Sequence, residues 1–308
     1  MIVAERTYVA TRGGVRTGQG LATLRWWQGK RFQDLFWRSL AFVVVLLGAA
    51  FVLIPFLWMV TTALKTEMET YAVPPRWIPS KWMWRNFPDA LRLLPFGRFY
   101  RNTAFVTFGS MVGVVLSSSL VAFGFARLRA PGRDLLFVIL LGTMMLPGQV
   151  TLIPLYLLFN KIGWVNTYYP LIIPAYFGGG AFNIFLLRQF FMTIPLEMDD
   201  AAKIDGCGFF ETYWRLILPL ARPAVATVAI FHFMYHWNDF FTPLIYLNDL
   251  PKFTVAVGLA FFRGSGMGSG RLDWLMAASV TALMPCLILF FLAQRLFIQG
   301  IVITGVKG

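Results

Sequence analysis

Charge is the first thing this sequence is short of. Only 13% of its 308 residues are Asp, Glu, Lys or Arg, while 58% are hydrophobic. A soluble domain carries about 25% charged and roughly 45–50% apolar residues, so an ordinary water-soluble fold is excluded and an apolar solvent is required. Histidine and cysteine are scarce too, with two of each. Cys207 stands in a polar loop and Cys286 in an apolar run, so no disulfide is expected. There is no G-x-x-x-x-G-K-[ST] run to cradle ATP phosphates and no H-E-x-x-H. The stretch from Gly264 to Arg271 is rich in glycine but lacks the Lys-Ser or Lys-Thr end of a phosphate loop, and it reads as a flexible linker. No catalytic residue, metal or cofactor is therefore expected in this chain. In a soluble protein a net charge of +13 would suggest nucleic acid. In a chain this apolar it suggests a bilayer with anionic lipid, and no nucleic acid.

What the sequence has is long apolar runs, each near the roughly 20 residues that cross a bilayer. Residues 1–35 form a basic, glycine-containing tail (Arg6, Arg12, Arg16, Arg25, Lys30, Arg31), too long and interrupted for a secretory signal. Spans are predicted at 36–63, 99–126, 134–158, 168–192, 220–246 and 274–297, with a tail at 298–308. The segment 64–98 holds Pro74, Pro75, Pro79, Pro88 and Pro95 with several tryptophans, and reads as an external segment with interfacial pieces. Pro147-Gly148 and Pro154 interrupt the third span, and Pro174 and Gly178-Gly179-Gly180 the fourth. The fold class expected is all-α and polytopic, with six transmembrane helices. Arg127, Arg129 and Arg133 in the turn after the second span, against Lys161 alone in the next loop, favour an inner-side N-terminus in a multi-pass cell-membrane protein.

The stretch 194–223 is the most acidic part of the chain. Pro195 suits a helix start, where no amide partner is lost. Glu197, Asp199 and Asp200 cluster where the helix dipole favours negative charge. Ala201 and Ala202 favour helix, and Gly206 can take the left-handed conformation that ends one. In the following helix Phe209, Phe210, Tyr213, Trp214 and Ile217 recur at helical spacing, and Pro219 marks its end. The expectation is a helix–turn–helix with one greasy face and one exposed acidic end, able to lie across the ends of the spans and offer a knob to a partner.

The run Asp200-Ala201-Ala202, then Gly206 four residues on, then Leu216-x-Leu218-Pro219, resembles the "EAA" loop of binding-protein-dependent ABC importer permeases. Asp200 replaces the family's usual glutamate and Leu216 its usual isoleucine. Pro154-Leu155-Tyr156, Gly163-x-x-Asn166-Thr167, Trp237-Asn238-Asp239, Pro243-Leu244-Ile245 and the ending Gly305-Val306-Lys307-Gly308 are similar to the MalG-type carbohydrate subfamily. The resemblance covers roughly 95–308. It implies a type I ABC importer permease fold, with 194–219 as the cytoplasmic coupling loop. By similarity Asp200, Ala201, Ala202, Gly206, Leu216, Leu218 and Pro219 dock on an ATPase subunit. It also implies the partners: a second, different permease chain, two ATPase subunits that carry ATP and Mg, and an external solute-binding protein. The C-terminal tail of such subunits reaches toward the ATPase pair.

Solute-pathway candidates come from polar groups and breaks inside the spans. His232, His236 and Asp239 at i, i+4 and i+7 share one helical face, which reads as a polar stripe toward a water-filled cavity rather than a metal site. Trp237 and Asn238 beside them suit a sugar ring and its hydroxyls. Gln149 and Asn183 lie at the breaks in the third and fourth spans, where freed backbone groups are tolerated if they line a cavity. The alternatives are an ABC permease for glycerol phosphate, an amino acid or a peptide, and a stand-alone secondary transporter. The last lacks a clear internal repeat and has only Asp239 as an acid within a span.

Overall fold

The computed structural model describes residues 30–264 and 270–305, with side chains from 34 to 294. The tail expected at 1–35 falls outside the described residues except for 30–35. Residues 265–269 of the glycine-rich run and 306–308 of the C-terminal tail also fall outside them. The chain divides into two compact units, Met1–Phe56 and Leu57–Gly308.

Helix α1, Lys30–Ala63, crosses from the first unit into the second and has Pro55 inside it. From Leu35 to Ile54 its large apolar side chains are exposed, as suits a lipid solvent. The second unit continues with α2 (Glu67–Thr70), α3 (Asn86–Leu93) and α4 (Phe96–Arg127). Next come α5 (Arg133–Thr143), α6 (Gly148–Lys161), α7 (Tyr169–Ile172, continued by a 3-10 turn Ile173–Tyr176) and α8 (Ala181–Thr193). Then follow α9 (Leu196–Ile204), α10 (Phe209–Leu220, wound as a π-helix over Thr212–Ile217), α11 (Arg222–Trp237), α12 (Phe241–Tyr246), α13 (Val255–Gly264) and α14 (Leu272–Gly305). There is no strand among the described residues.

Asp34–Ala63, Phe96–Arg127, Tyr169–Thr193 and Leu272–Gln294 are long and apolar enough to cross a membrane. Two bent pairs, α5 with α6 (93°) and α10 with α11 (78°), bring the number to as many as six when each pair is counted as one span. Three expectations are corrected. The third span is no single rod over 134–158, because the chain turns at Met144–Pro147 before α6 begins. The fifth, expected to run over 220–246, stops at Trp237, and Asp239 stands in the break before α12. The last helix does not yield to a tail at 298 but runs on to Gly305. In 64–98 the prolines do break the chain, yet Pro88 fits the first turn of α3, where its missing N–H costs nothing.

Helix α4 is the scaffold. At roughly 48 Å it is longer than the hydrocarbon core of a bilayer is thick. Helices α8, α11, α13 and the turn after α7 all pack on it. Its first half (Phe96, Phe99, Val106) belongs to one buried cluster with Phe253, Val257 and Phe262. Its second half (Val114, Ala122, Phe123) belongs to another with Ile184, Leu187, Phe191, Tyr213 and Ile217. In lipid the hydrophobic effect does little to hold helices together, so close packing and internal hydrogen bonds must. Accordingly α4 carries a polar stripe, most of it answered by other segments, with the buried Thr107 hydroxyl left without a partner. Asn102 donates to the carbonyls of Pro251 (2.9 Å) and Phe253 (3.0 Å), and Thr103 Oγ1 accepts from Val255 N–H (2.9 Å). Ser117 donates to the Ala175 carbonyl (2.8 Å), and the Ser119 and Tyr213 hydroxyls share a bond of 2.8 Å. Gly113 lets the Tyr176 ring lie on the helix backbone, since a Cβ there would meet Tyr176 Cδ2 at 2.5 Å.

The segment after α1 is held by Glu69. Its carboxylate accepts from Ser80 N–H (2.9 Å) and from the Thr66 amide and hydroxyl (both 3.2 Å). The bonds from Ser80, with those from Thr66, hold its pKa down at about 2.

The packing at Gly113 and the bonds of Glu69 each give a test. Gly113→Ala lowers stability by about 1–3 kcal/mol through overpacking, whereas Gly124→Ala on the same helix, with open space around it, is neutral or stabilising by up to ~1 kcal/mol; thermal unfolding in detergent compares them, and equal melting points would contradict the packing. For Glu69 the folded pKa is depressed, so its contribution is full above the carboxyl's ordinary 4.5 and fades as pH falls toward about 2. Hydrogen exchange at the Ser80 amide should therefore be protected above that range and released below it, and Glu69→Gln should release it at neutral pH. Protection that ignores pH would contradict this.

Candidate coupling corner and solute cavity

The acidic stretch forms the corner expected. Pro195 caps α9, with Glu197 and Asp199 in its first turn. Gly206 ends it at φ +83, where its N–H donates to the Lys203 carbonyl (3.0 Å) and the Cys207 N–H to that of Ala202 (2.9 Å). These bonds satisfy carbonyls that a helix end would otherwise leave open. The greasy face is only half as expected. Tyr213 and Ile217 are buried, but Phe209, Phe210 and Trp214 are exposed.

The coupling candidates separate by place. Ala201, Ala202 and Leu216 line one groove of about 430 Å³ between α9 and α10, together with Glu197, Asp205 and Glu211. Asp200 is exposed on the other side of α9, paired with Lys203 at 2.9 Å. Gly206 is the corner itself. Leu218 and Pro219 are half-buried near the end of α10, away from the groove, and that helix ends one residue beyond Pro219.

The residue that ties the corner down is Asp199. Its carboxylate lies 3.2 Å from Arg127 Nε, and the two side chains are 10% and 5% exposed. Those two atoms meet as an ion pair and not as an aligned hydrogen bond. Arg127 Nη2 also donates to the Ile194 carbonyl (2.8 Å), so the last turn of α4 grips both the end of the α8–α9 link and α9 itself. Burial pushes the Asp199 carboxyl up from its ordinary value, against the opposing pull of Arg127 and Lys203. The sequence marked Asp199 only as a dipole-favoured acid and Arg127 only as an orientation signal. The one available clue was an acid in the loop and a base at the end of a span.

The second site is a cavity of about 640 Å³. Asn183, His232, His236 and Asp239 all line it, with aromatic walls from Phe177, Phe182, Phe231 and Tyr235. The two imidazoles stack at 3.9 Å, and His232 Nε2 bonds Ser110 Oγ at 2.9 Å. His236 Nδ1 is buried with no hydrogen-bond partner. Asp239 accepts from the Thr242 N–H (3.2 Å), and Asn183 donates to the Gly179 carbonyl (2.8 Å). Gly178, Gly179 and Gly180 all have positive φ, which opens the chain between the two halves of the fourth span. Among the described residues no group of three or more His, Cys, Asp or Glu side chains could hold a metal ion.

Three candidates do not join this cavity. Trp237 is turned about 100° from His236 on the helix; it stacks on Phe233 (5.2 Å) and donates to the Ala282 carbonyl (3.0 Å). Asn238 donates to the Met234 carbonyl (2.7 Å) and contacts Cys286 Sγ. Gln149, in the first turn of α6, is exposed and not among the lining residues.

Long apolar helices around a cavity with a few polar groups, ending in a helical corner fixed to α4, define a membrane transport subunit. The chain belongs to the family of binding-protein-dependent transport system inner membrane components, whose model matches residues 109–303. It is 34% identical over 257 residues to the probable ABC transporter permease protein YurM of Bacillus subtilis, covering 82% of this chain and 83% of that one. It is 35% identical to the arabinooligosaccharides transport system permease protein AraQ of Halalkalibacterium halodurans, covering 68% and 74%. Its fold matches a chain in the crystal structure of a bacterial ABC transporter involved in the import of the acidic polysaccharide alginate. The TM-score is 0.74 at 22% identity, covering 85% of this chain and 97% of that chain.

The ion pair yields a stability test. Asp199→Ala leaves the Arg127 charge buried without its partner and should cost about 3–5 kcal/mol. Replacing both, Arg127→Met with Asp199→Leu, should recover most of that loss, read as thermal unfolding in detergent. A single variant as stable as the parent would contradict the pairing.

Proposed function

We propose that this chain is one permease subunit of an ATP-driven importer for carbohydrates. It forms half of the pathway and couples to a separate ATPase subunit through the 194–219 corner. The observation that carries the reading is the corner's build: a groove lined by Ala201, Ala202 and Leu216, turned by Gly206 and anchored to α4 by Arg127 and Asp199. A knob so anchored can pass a push from a docked partner to α4. The partners are two ATPase subunits that carry ATP and Mg, a second permease of different sequence and an external solute-binding protein. The corner and the N-terminus lie on the cytoplasmic side, in line with Arg127, Arg129 and Arg133 around the α4–α5 turn. No hydrolysis occurs on this chain.

The carbohydrate reading draws on AraQ and the alginate importer, and on the cavity itself. Exposed aromatic faces at Phe177 and Tyr235 beside Asn183, His236 and Asp239 suit a ligand with apolar ring faces and many hydroxyls. These groups take the role that sequence adjacency suggested for Trp237 and Asn238.

The test is Gly206→Asp in the assembled transporter. At φ +83 an aspartate costs about 1–3 kcal/mol of local strain, enough to displace the corner while the spans stay in place. The variant should insert and assemble, lose roughly tenfold or more of solute uptake, and retain ATPase activity that no longer follows the solute-loaded binding protein. Normal uptake would overturn the coupling assignment.

A further inference from the structure

We propose that the turn between α4 and α5 holds the headgroup of an anionic phospholipid. A cavity of about 630 Å³ lies between this turn and α9, lined by four basic side chains, Arg127, Arg129, Arg133 and Lys203, against two acids, Asp199 and Asp200. The acids are spoken for. Asp199 pairs with Arg127, and Asp200 with Lys203. Arg133 donates Nε to the well-exposed Asp134 (2.9 Å) and Nη1 to the Leu128 carbonyl (3.2 Å), which aligns its guanidinium along the turn without filling it. Arg129 has no ion pair or hydrogen bond among the described residues. The cavity is left with surplus positive charge and donors fit for a phosphodiester, which a guanidinium binds through parallel N–H bonds. Arg129 and Arg133 also line an adjoining hollow of about 590 Å³, so the pair has room on both sides.

What selects a lipid over a free anion is the wall beside the arginines. Helix α5 starts at Arg133 and at once exposes Leu135, Leu136, Val138 and Ile139, between 56% and 65% each. These follow within roughly 9 Å of axial rise. Phosphate-binding cations set directly against an unpaired apolar helix face fit a ligand with a charged head and acyl chains. The turn sits where a span ends, at the depth of lipid headgroups, where each basic residue near an anionic surface contributes about 1 kcal/mol. The site is separate from the solute cavity and borders the α9–α10 groove, with which it shares Cys207 and Thr212, and a bound headgroup would brace the α4 end that anchors the corner.

The experiment is native mass spectrometry of the delipidated full chain titrated with phosphatidylglycerol or phosphatidylcholine. Phosphatidylglycerol should bind more tightly than phosphatidylcholine. Arg129→Gln, at an exposed position without partners, should weaken it roughly fivefold, as loss of about 1 kcal/mol requires. Lys81→Gln on another surface should change nothing, and inorganic phosphate should not compete. Equal binding of the two lipids, an indifferent Arg129→Gln, or binding of inorganic phosphate alone would each overturn the proposal. So would a variant that keeps its lipid but loses its ATPase partner on purification, which would assign the arginines to a protein contact.

Discussion

Everything that the corner can do depends on one buried ion pair. Arg127 ends α4, the helix on which most others pack, and Asp199 lies in the first turn of the helix that a partner would grip; both are almost wholly removed from solvent. Two desolvated charges are costly, and their mutual attraction alone is weak evidence of stability. What the pair supplies is direction. With the Ile194 carbonyl as a third point, it fixes α9 to the end of α4, and its loss would leave a charge with nowhere to go.

The same helix organises the rest. At successive levels Asn102, Thr103, Ser110, Ser117 and Ser119 face a carbonyl, an amide, an imidazole, a carbonyl and a phenol on four other segments. In lipid such bonds and the close approach at Gly113 take over what water-driven burial does in a soluble core. One rod thus touches both proposed functional regions. Its middle reaches the solute cavity through Ser110 and His232, and its end reaches the corner through Arg127. The same packed helix therefore runs from one region to the other.

Much of this was legible in the residues, and the parts that were not share a cause. The corner could be read because its determinants are local: Pro195 starts α9, Ala201 and Ala202 keep it, and Gly206 ends it. The first, second and fourth spans and the start of the sixth could be read because length and apolarity decide them, whereas the third and fifth are broken pairs whose extent could not. The 93° bend after Thr143 could not, although Pro147-Gly148 marked its place, because a break says where a helix stops and only packing says how far the chain turns. Adjacency misled at Trp237 and Asn238: neighbours in sequence of His236, they sit on other faces of the helix end. Asp199 was hidden for the opposite reason. In a helix of nine residues with three acids, nothing local says which acid faces inward. Phe209, Phe210 and Trp214 likewise stand exposed, outside the face that their helical spacing suggested would be buried.

The most direct test of the rigid tie is a distance. Spin labels at Ala130, in the turn after α4, and at Ile204, exposed at the end of α9, would be measured in the assembled transporter, free and trapped with ATP. A tie through Arg127 and Asp199 predicts one unchanged distance distribution in both states. A distribution that shifts or splits when nucleotide binds would mean that α9 moves independently of α4, and a rigid coupling through this ion pair would be contradicted.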